Sequence, residues 1–149
     1  MKTTQNNKEE ENKNLIRRAV DEIWNKGEYD KLGEFISPDF KVYFNSSDDQ
    51  VHGVRGTRQY YTELRNAFPD IHFTIDTMIA EGDKVVTQWT AKGTHKGVFK
   101  GIPATGQKIT ISAIDIDQIV DGRSIQCWMK MDELGLLRQL GVGEDLVQK

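Results

Sequence analysis

Apolar positions along this chain follow two periods. Toward the N-terminus they recur at helical spacing: Leu15, Ile16, Ala19, Val20, Ile23 and Trp24 make one stripe. That stripe predicts a helix from about Glu9 to Lys26, stopped by Gly27, with residues 1–10 as a largely polar, flexible tail leading into it. A short helix over Tyr29–Ile36 follows, ended by Ser37-Pro38. Phe40, Val42 and Phe44 then alternate with Lys41 and Tyr43 as a strand, and Asn45 to Gln50 reads as a loop. A third helix, about Val54 to Ala67, carries Tyr60, Tyr61, Leu64 and Phe68 on or next to its apolar side and stops at Pro69.

Beyond Pro69 the period becomes two. Ile71, Phe73 and Ile75 alternate with His72, Thr74 and Asp76, and Glu81-Gly82-Asp83 is a hairpin turn. Val85–Gly93 and Gly97–Lys100 read as strands, Gly101–Gly106 as a loop in which Pro103 and Gly106 serve the turn. Lys108–Val120 and Ser124–Met131 are the last strands, joined by the tight pair Asp121-Gly122. A short helix, Glu133–Leu140, closes the chain. Helices first and a strand meander second argue an α+β fold. Its helices pack on one face of a curved, mainly antiparallel sheet, and the concave side becomes a cone suited to a small molecule.

Length and composition narrow the function. The 149 residues suit one domain, 37% hydrophobic and 29% charged, with a net charge of −3. No basic run interleaves with aromatics, so nucleic acid is not an expected partner. No apolar stretch approaches the roughly 20 residues of a membrane span, and the N-terminus lacks an apolar signal core, so a cytoplasmic protein is expected. Cys127 is alone and sits inside a strand, where a small buried hydrophobe is expected. His52, His72 and His95 are isolated from one another, so no metal site is expected.

Several segments carry a resemblance. Asn66–Ile71 (NAFPDI), Gly93–Gly97 (GTHKG), Gly101–Gly106 (GIPATG), Asp121–Ile125 with Trp128, Asp132, and Gly135–Gly141 (GLLRQLG) stand in an order that resembles the SnoaL-like polyketide cyclases. These ester cyclases belong to the NTF2-like, or cystatin-like, α+β cones. The resemblance implies cofactor-independent closure of a polyketide ester ring by an intramolecular aldol step. It places the proton-shuttling Asp at Asp132 and a second polar residue at Gln118, where an amide orients an oxygen but does not titrate. It also implies a homodimer or tetramer.

Read by themselves, the residues leave more than one option. Asp132 stands where the last strand meets the last helix, as an acid/base, as a helix cap, or as both. If that strand stays regular, Trp128 and Lys130 share its face toward the cone. Cys127, Met129 and Met131 then take the outer face, together with Asp115 and Asp117 of the strand before, and that outer strip is where a second copy would pack. Gln118 goes inward with Ile114 and Ile116. Asp76, Asp115 and Asp117 are expected in solvent. His95 can transfer a proton or fix the Gly101–Gly106 turn. Trp24, Phe44, Asn45 and Tyr60, with Trp128, His95 and Lys130, are candidate ligand contacts. The rival functions on the same cone are an isomerase, dehydratase or epoxide hydrolase, and a stress-associated or ligand-binding protein without turnover.

Overall fold

The computed structural model of the protein describes residues 4–45 and 50–142. Helix α1 (Thr4–Ala19) starts earlier than its apolar stripe, so residues 4–8 belong to it rather than to a tail. The rest of the expected tail, residues 1–3, and residues 46–49 of the expected loop lie outside the described residues.

The helix widens into a π-turn over Val20–Asn25 before Gly27, at φ +71°, ends it. Such a turn inserts one extra residue per turn and re-aims the side chains that follow. Here it presents Trp24 to the interior and brings Asn25 to the sheet edge. The Asn25 side chain accepts from Phe73 N–H at 2.7 Å and donates to Phe73 C=O at 3.0 Å, mimicking a strand partner. Arg65 donates to the carbonyls of Trp24 and Asn25, at 2.5 and 3.2 Å, and so pins the wide turn to the third helix.

A 3₁₀ turn (Tyr29–Lys31) and the one-turn helix α2 (Leu32–Phe35) lead into strand β1 (Ile36–Phe44), then β2 (Gln50–His52) and helix α3 (Gly53–Ala67). Pro38 is accommodated inside β1 because the pairing shifts register between Ile36 and Lys41, as a bulge does. Strands β3 (His72–Glu81), β4 (Lys84–Thr94), β5 (Lys108–Val120) and β6 (Arg123–Met131) complete the sheet, and helix α4 (Glu133–Gln139) follows. Sheet order is β2-β1-β6-β5-β4-β3. All neighbours are antiparallel except β1 and β6. The sheet is curved and unclosed, and α1 packs against β3 and β4 while α3 packs against β1 and β2. This is the expected α+β cone. Among the described residues no helix is long and apolar enough to cross a membrane.

Two expectations are corrected. Gly97–Lys100 is not a strand. The amides of Lys96 and Gly97 both donate to Ala67 C=O, and Lys100 (φ +47°) and Gly101 (φ +79°) turn the chain back so that only Phe99 and Ile102 pair. The second correction concerns which face looks inward. Ile109, Ile111, Ala113, Asp115, Asp117 and Ile119 of β5 are all buried, while Ile114 is 46% exposed. On β6, Cys127 and Met129 are buried, Trp128 is half-buried and Lys130 is exposed. The inner face is therefore the odd-numbered one along β5 and, past the register shift that turns Ser124 inward, from Cys127 onward on β6. Asp115 and Asp117 go in; Gln118, Trp128 and Lys130 go out. Starting the alternation at Ile114 inverted the face. Ile109 and Ile111 against Thr110 and Ser112 show the true parity, because a one-residue slip exchanges the two faces.

The junction between α3 and the β4–β5 loop is close-packed at Gly97, where a Cβ would run into the carbonyl of Asn66. Gly97→Ala should therefore cost roughly 1–3 kcal/mol. A urea titration should show a lower midpoint with an unchanged slope; an unchanged midpoint would mean the two backbones have room to part.

Candidate functional site

Two hollows in the cone share part of their walls. The larger, about 330 Å³, is walled by Trp24, Phe44, Tyr60, Tyr61, Phe73 and Trp89, with Ile111, Met129, Met131 and Leu136 among its apolar remainder. The smaller, about 60 Å³, shares Trp24, Phe44, Tyr60, Tyr61 and Met129 and reaches Asp115, Asp117, Ser124 and Cys127 on the inner sheet face. Trp24 packs edge-on against Phe73 and Trp89, with centroids 5.2 and 5.7 Å apart, and Phe44 leans on Tyr60 at 5.2 Å. The walls are thus fixed, flat and apolar.

The rim is polar. Lys100 donates to Glu133 Oε1 at 2.7 Å, bridging the β4–β5 loop and the first turn of α4. Asn45, held at φ +46°, closes the end of β1: its side-chain oxygen accepts from Met131 N–H at 2.9 Å and its amide faces Glu133 at 3.5 Å. Both partly exposed charges line the larger hollow, so they mark its mouth.

The floor is acidic. Asp115 is 1% exposed and Asp117 8% exposed, on one face of β5 two residues apart. Burial pushes the Asp115 carboxyl well above the usual carboxylate range, and the neighbouring Asp117 charge pushes it further. The Trp89 indole opposes this, but it approaches without closing a well-formed hydrogen bond: neither Trp89 Nε1 nor Asp115 Oδ1 has a partner. Asp117 is also raised by burial, yet only to about 6, because Ser124 Oγ donates to it at 2.8 Å and the Cys127 thiol also bonds it. Burial and both carboxylates push the Cys127 thiol up, which makes it a poor nucleophile. Tyr60 and Tyr61 are likewise pushed up by burial. Donor atoms of Asp115, Asp117 and Cys127 lie within 4.8 Å of one another. A cation there would first have to displace the firmly held protons of Asp115 and Cys127.

The residues singled out in the sequence separate into two groups. Trp24, Phe44, Asn45 and Tyr60 line the larger hollow. Asp132, Gln118, Trp128, Lys130 and His95 do not. Asp132 is exposed and caps α4, its Oδ1 accepting from Gly135 N–H at 2.9 Å. Lys130 does not pair with it; its ammonium donates to Asn45 C=O at 2.6 Å. Gln118, on the outer face, bonds Asp83 and Gln126. His95 is fully buried and ties down the loop, its Nδ1 lying 2.9 Å from Thr105 Oγ1 while its carbonyl accepts from Gly106 N–H at 2.8 Å. Asp115, Asp117, Lys100 and Glu133 were not among the sequence candidates, while Tyr61 and Trp89, both offered by the sequence as aromatics for the pocket wall, do line the larger hollow. The parity of Ile109, Ile111 and Ala113, carried forward, points at the two acids; nothing local points at the rim pair.

The sequence profile of the SnoaL-like polyketide cyclases matches residues 14–140. The chain belongs to this family. The aklanonic acid methyl ester cyclase DnrD of Streptomyces peucetius is 32% identical over 134 residues, spanning 85% of this chain and 88% of DnrD. DauD of Streptomyces sp. strain C5, with the same described activity, is also 32% identical, over 85% of this chain and 80% of its own. Among solved structures, TsrD of Streptomyces laurentii superposes with a TM-score of 0.79 at 32% identity, covering 89% of this chain and 96% of TsrD. A SnoaL-like protein of Jannaschia sp. CCS1 superposes at 0.85 with 25% identity, covering 96% and 98%. The architecture of this SnoaL-like chain is accordingly the NTF2-like cone.

The raised carboxyls make stability depend on pH. A group that holds its proton more tightly when folded stabilises the fold fully below its unfolded value and loses that contribution as pH rises through its folded value. For Asp117 the window runs from about 4, the unfolded value, to about 6. Asp115 acts with the same sign further up. Urea titrations across this window should show Asp117→Asn gaining on the parent as pH rises, by roughly 2–3 kcal/mol at about 1.4 kcal/mol per pH unit. A constant difference between the two proteins would show that Asp117 titrates normally.

Proposed function

We propose that this chain is a small-molecule enzyme of the SnoaL-like kind, which works without a cofactor by acid–base chemistry on a hydrophobic carbonyl compound such as a polyketide ester. The observation that carries this reading is the pair of carboxyls at the floor of an aromatic cone, with proton affinities pushed apart by their surroundings. Two acids so arranged can divide the roles of acid and base. Asp117, ionised above a pH of about 6, takes the proton alpha to a substrate carbonyl. The resulting enolate carbon attacks a second carbonyl of the same molecule, a carbon–carbon bond forms, and the new alkoxide takes a proton from Asp115. Proton exchange between the two acids restores the starting state. The apolar walls hold a flat molecule with its reacting groups together, which removes much of the entropic barrier to ring closure.

This reading transfers the proton shuttle from Asp132, which caps α4 in solvent, to the floor of the cone. The same pair would equally serve an isomerase that moves a double bond next to a carbonyl, since it supplies the second titratable group that His95 does not.

Aklanonic acid methyl ester, named for the relatives, is the first substrate to test. Asp117→Asn and Asp115→Asn should each lower turnover by about 10²–10⁴-fold, while Asp132→Asn, which preserves a good cap, should leave it unchanged. Loss of turnover in Asp132→Asn with full activity in the other two would return the role to Asp132.

We also propose a homodimer formed through the outer sheet face. Tyr43 stacks on Trp128 with centroids 6.1 Å apart, Trp128 pairs with Ile116, and Ile114 beside them is 46% exposed, which makes an apolar row across three strands. Sedimentation should give about twice the 17.0 kDa chain mass for the parent and the monomer for Trp128→Glu; a parent that sediments as a monomer contradicts the assembly.

A further inference from the structure

We infer that the floor of the cone is a receiving site for one carbonyl or enol oxygen of a flat conjugated ligand, held by the indole N–H of Trp89 and the carboxyl of Asp115. The inference rests on the acid–base reading above and adds where the reacting oxygen sits.

Six buried side-chain polar atoms among the described residues have no hydrogen-bond partner, and three of them are neighbours: Thr87 Oγ1, Trp89 Nε1 and Asp115 Oδ1. Thr87 pairs directly across from Asp115, and Trp89 is the next inward-facing residue along β4. Their residues are 0%, 3% and 1% exposed. A buried polar atom without a partner costs about 1–3 kcal/mol, so the two that face a hollow, Trp89 Nε1 and Asp115 Oδ1, indicate a group that comes from outside the chain. Trp89 lines the larger hollow and Asp115 the smaller, so the patch sits where the two meet.

The donors specify the guest. An indole N–H only donates. A carboxyl that keeps its proton also donates, and the burial of Asp115 beside Asp117 favours that form. Two donors meeting at one place call for an acceptor, and an oxygen on a planar frame suits a hollow walled by the Trp24, Phe73 and Tyr60 rings. Trp24 and Phe73 each pack edge-on against Trp89, at 5.7 and 5.3 Å, so the indole N–H is aimed before any ligand arrives. When the enolate carbon attacks the second carbonyl, negative charge develops on that carbonyl's oxygen, the one Asp115 then protonates, and preset donors are most effective there.

The test uses the full-length protein with 1-tetralone, a bicyclic aromatic ketone, and tetralin, the same frame without the oxygen. Calorimetry should show the ketone binding about tenfold tighter, the ratio expected from one to two net hydrogen bonds. Difference infrared spectroscopy should show the bound carbonyl stretch moved to lower frequency than in water. Trp89→Phe, which keeps an aromatic ring but removes the N–H, and Asp115→Leu should each reduce the shift and the preference, whereas Asp117→Asn should keep both. If Asp115→Leu does not fold, Trp89→Phe decides alone. Equal affinity for the two molecules, failure of both to bind, or a shift that survives Trp89→Phe would overturn the inference. An unshifted stretch in a protein that closes its substrate ring would remove the oxygen site and leave the acid–base pair standing. A shifted stretch in a protein without turnover would do the reverse.

Discussion

The long antiparallel ladder of β4 with β5, from Lys84↔Gln118 to Thr94↔Lys108, sets the interior of this protein. It is continuous, so period-two alternation runs unbroken along both strands, and every inward position is decided together. Val85, Thr87, Trp89 and Ala91 face in from one strand; Ile109 through Ile119 at odd numbers face in from the other. The helices then have a single apolar surface to cover, and the chamber is what their coverage leaves unfilled. Because the ladder is locked by Phe73 and Trp89 below and Ile109 and Ile111 alongside, Asp115 and Asp117 cannot escape to solvent by a register slip without exposing those residues.

That constraint turns two ordinary acids into unusual ones. Burial opposes their charge, and the sheet supplies different compensation at each position. Asp117 receives a hydroxyl from Ser124 and a thiol from Cys127, and keeps some of its acidity. Asp115 has only an imperfect approach from Trp89 and the unwelcome charge of its neighbour, so its carboxyl is pushed further above the usual range. A difference of partners two residues apart on one strand gives two carboxyls of different proton affinity in the same chamber. The cost is borne by the large apolar surface that the cone buries around them.

The mouth is organised by pieces that lie outside the sheet. The loop from His95 to Gln107 is anchored internally by His95 and externally by Ala67, which brings Lys100 over the opening. Asp132 fixes the start of α4, and so the position of Glu133, through its hydrogen bond to Gly135. The family motifs around His95, Gly97, Asp132 and Gly135 thus act as scaffold for the rim, while the groups facing the chamber lie between them.

The sequence by itself determined the α+β class, the order of helices and strands, the tight turn at Asp121-Gly122 and the family, because those depend on local period, turn residues and ordered short motifs. Trp24, Phe44, Tyr60 and Asn45 were legible as chamber-facing for the same reason: each sits on a strongly periodic element or at its end. The π-turn that aims Trp24, the Asn25 side chain completing a sheet edge, the Lys100–Glu133 pair and the inward face of β5 were decided by tertiary structure. β5 carries isoleucine on both faces, so its own pattern does not choose between them. Asp115 and Asp117 look like solvent charges until Ile109 and Ile111 are packed beneath the helices. Once that core closes, the alternation carries both carboxyls in with it, since a strand cannot turn one residue over without turning the rest.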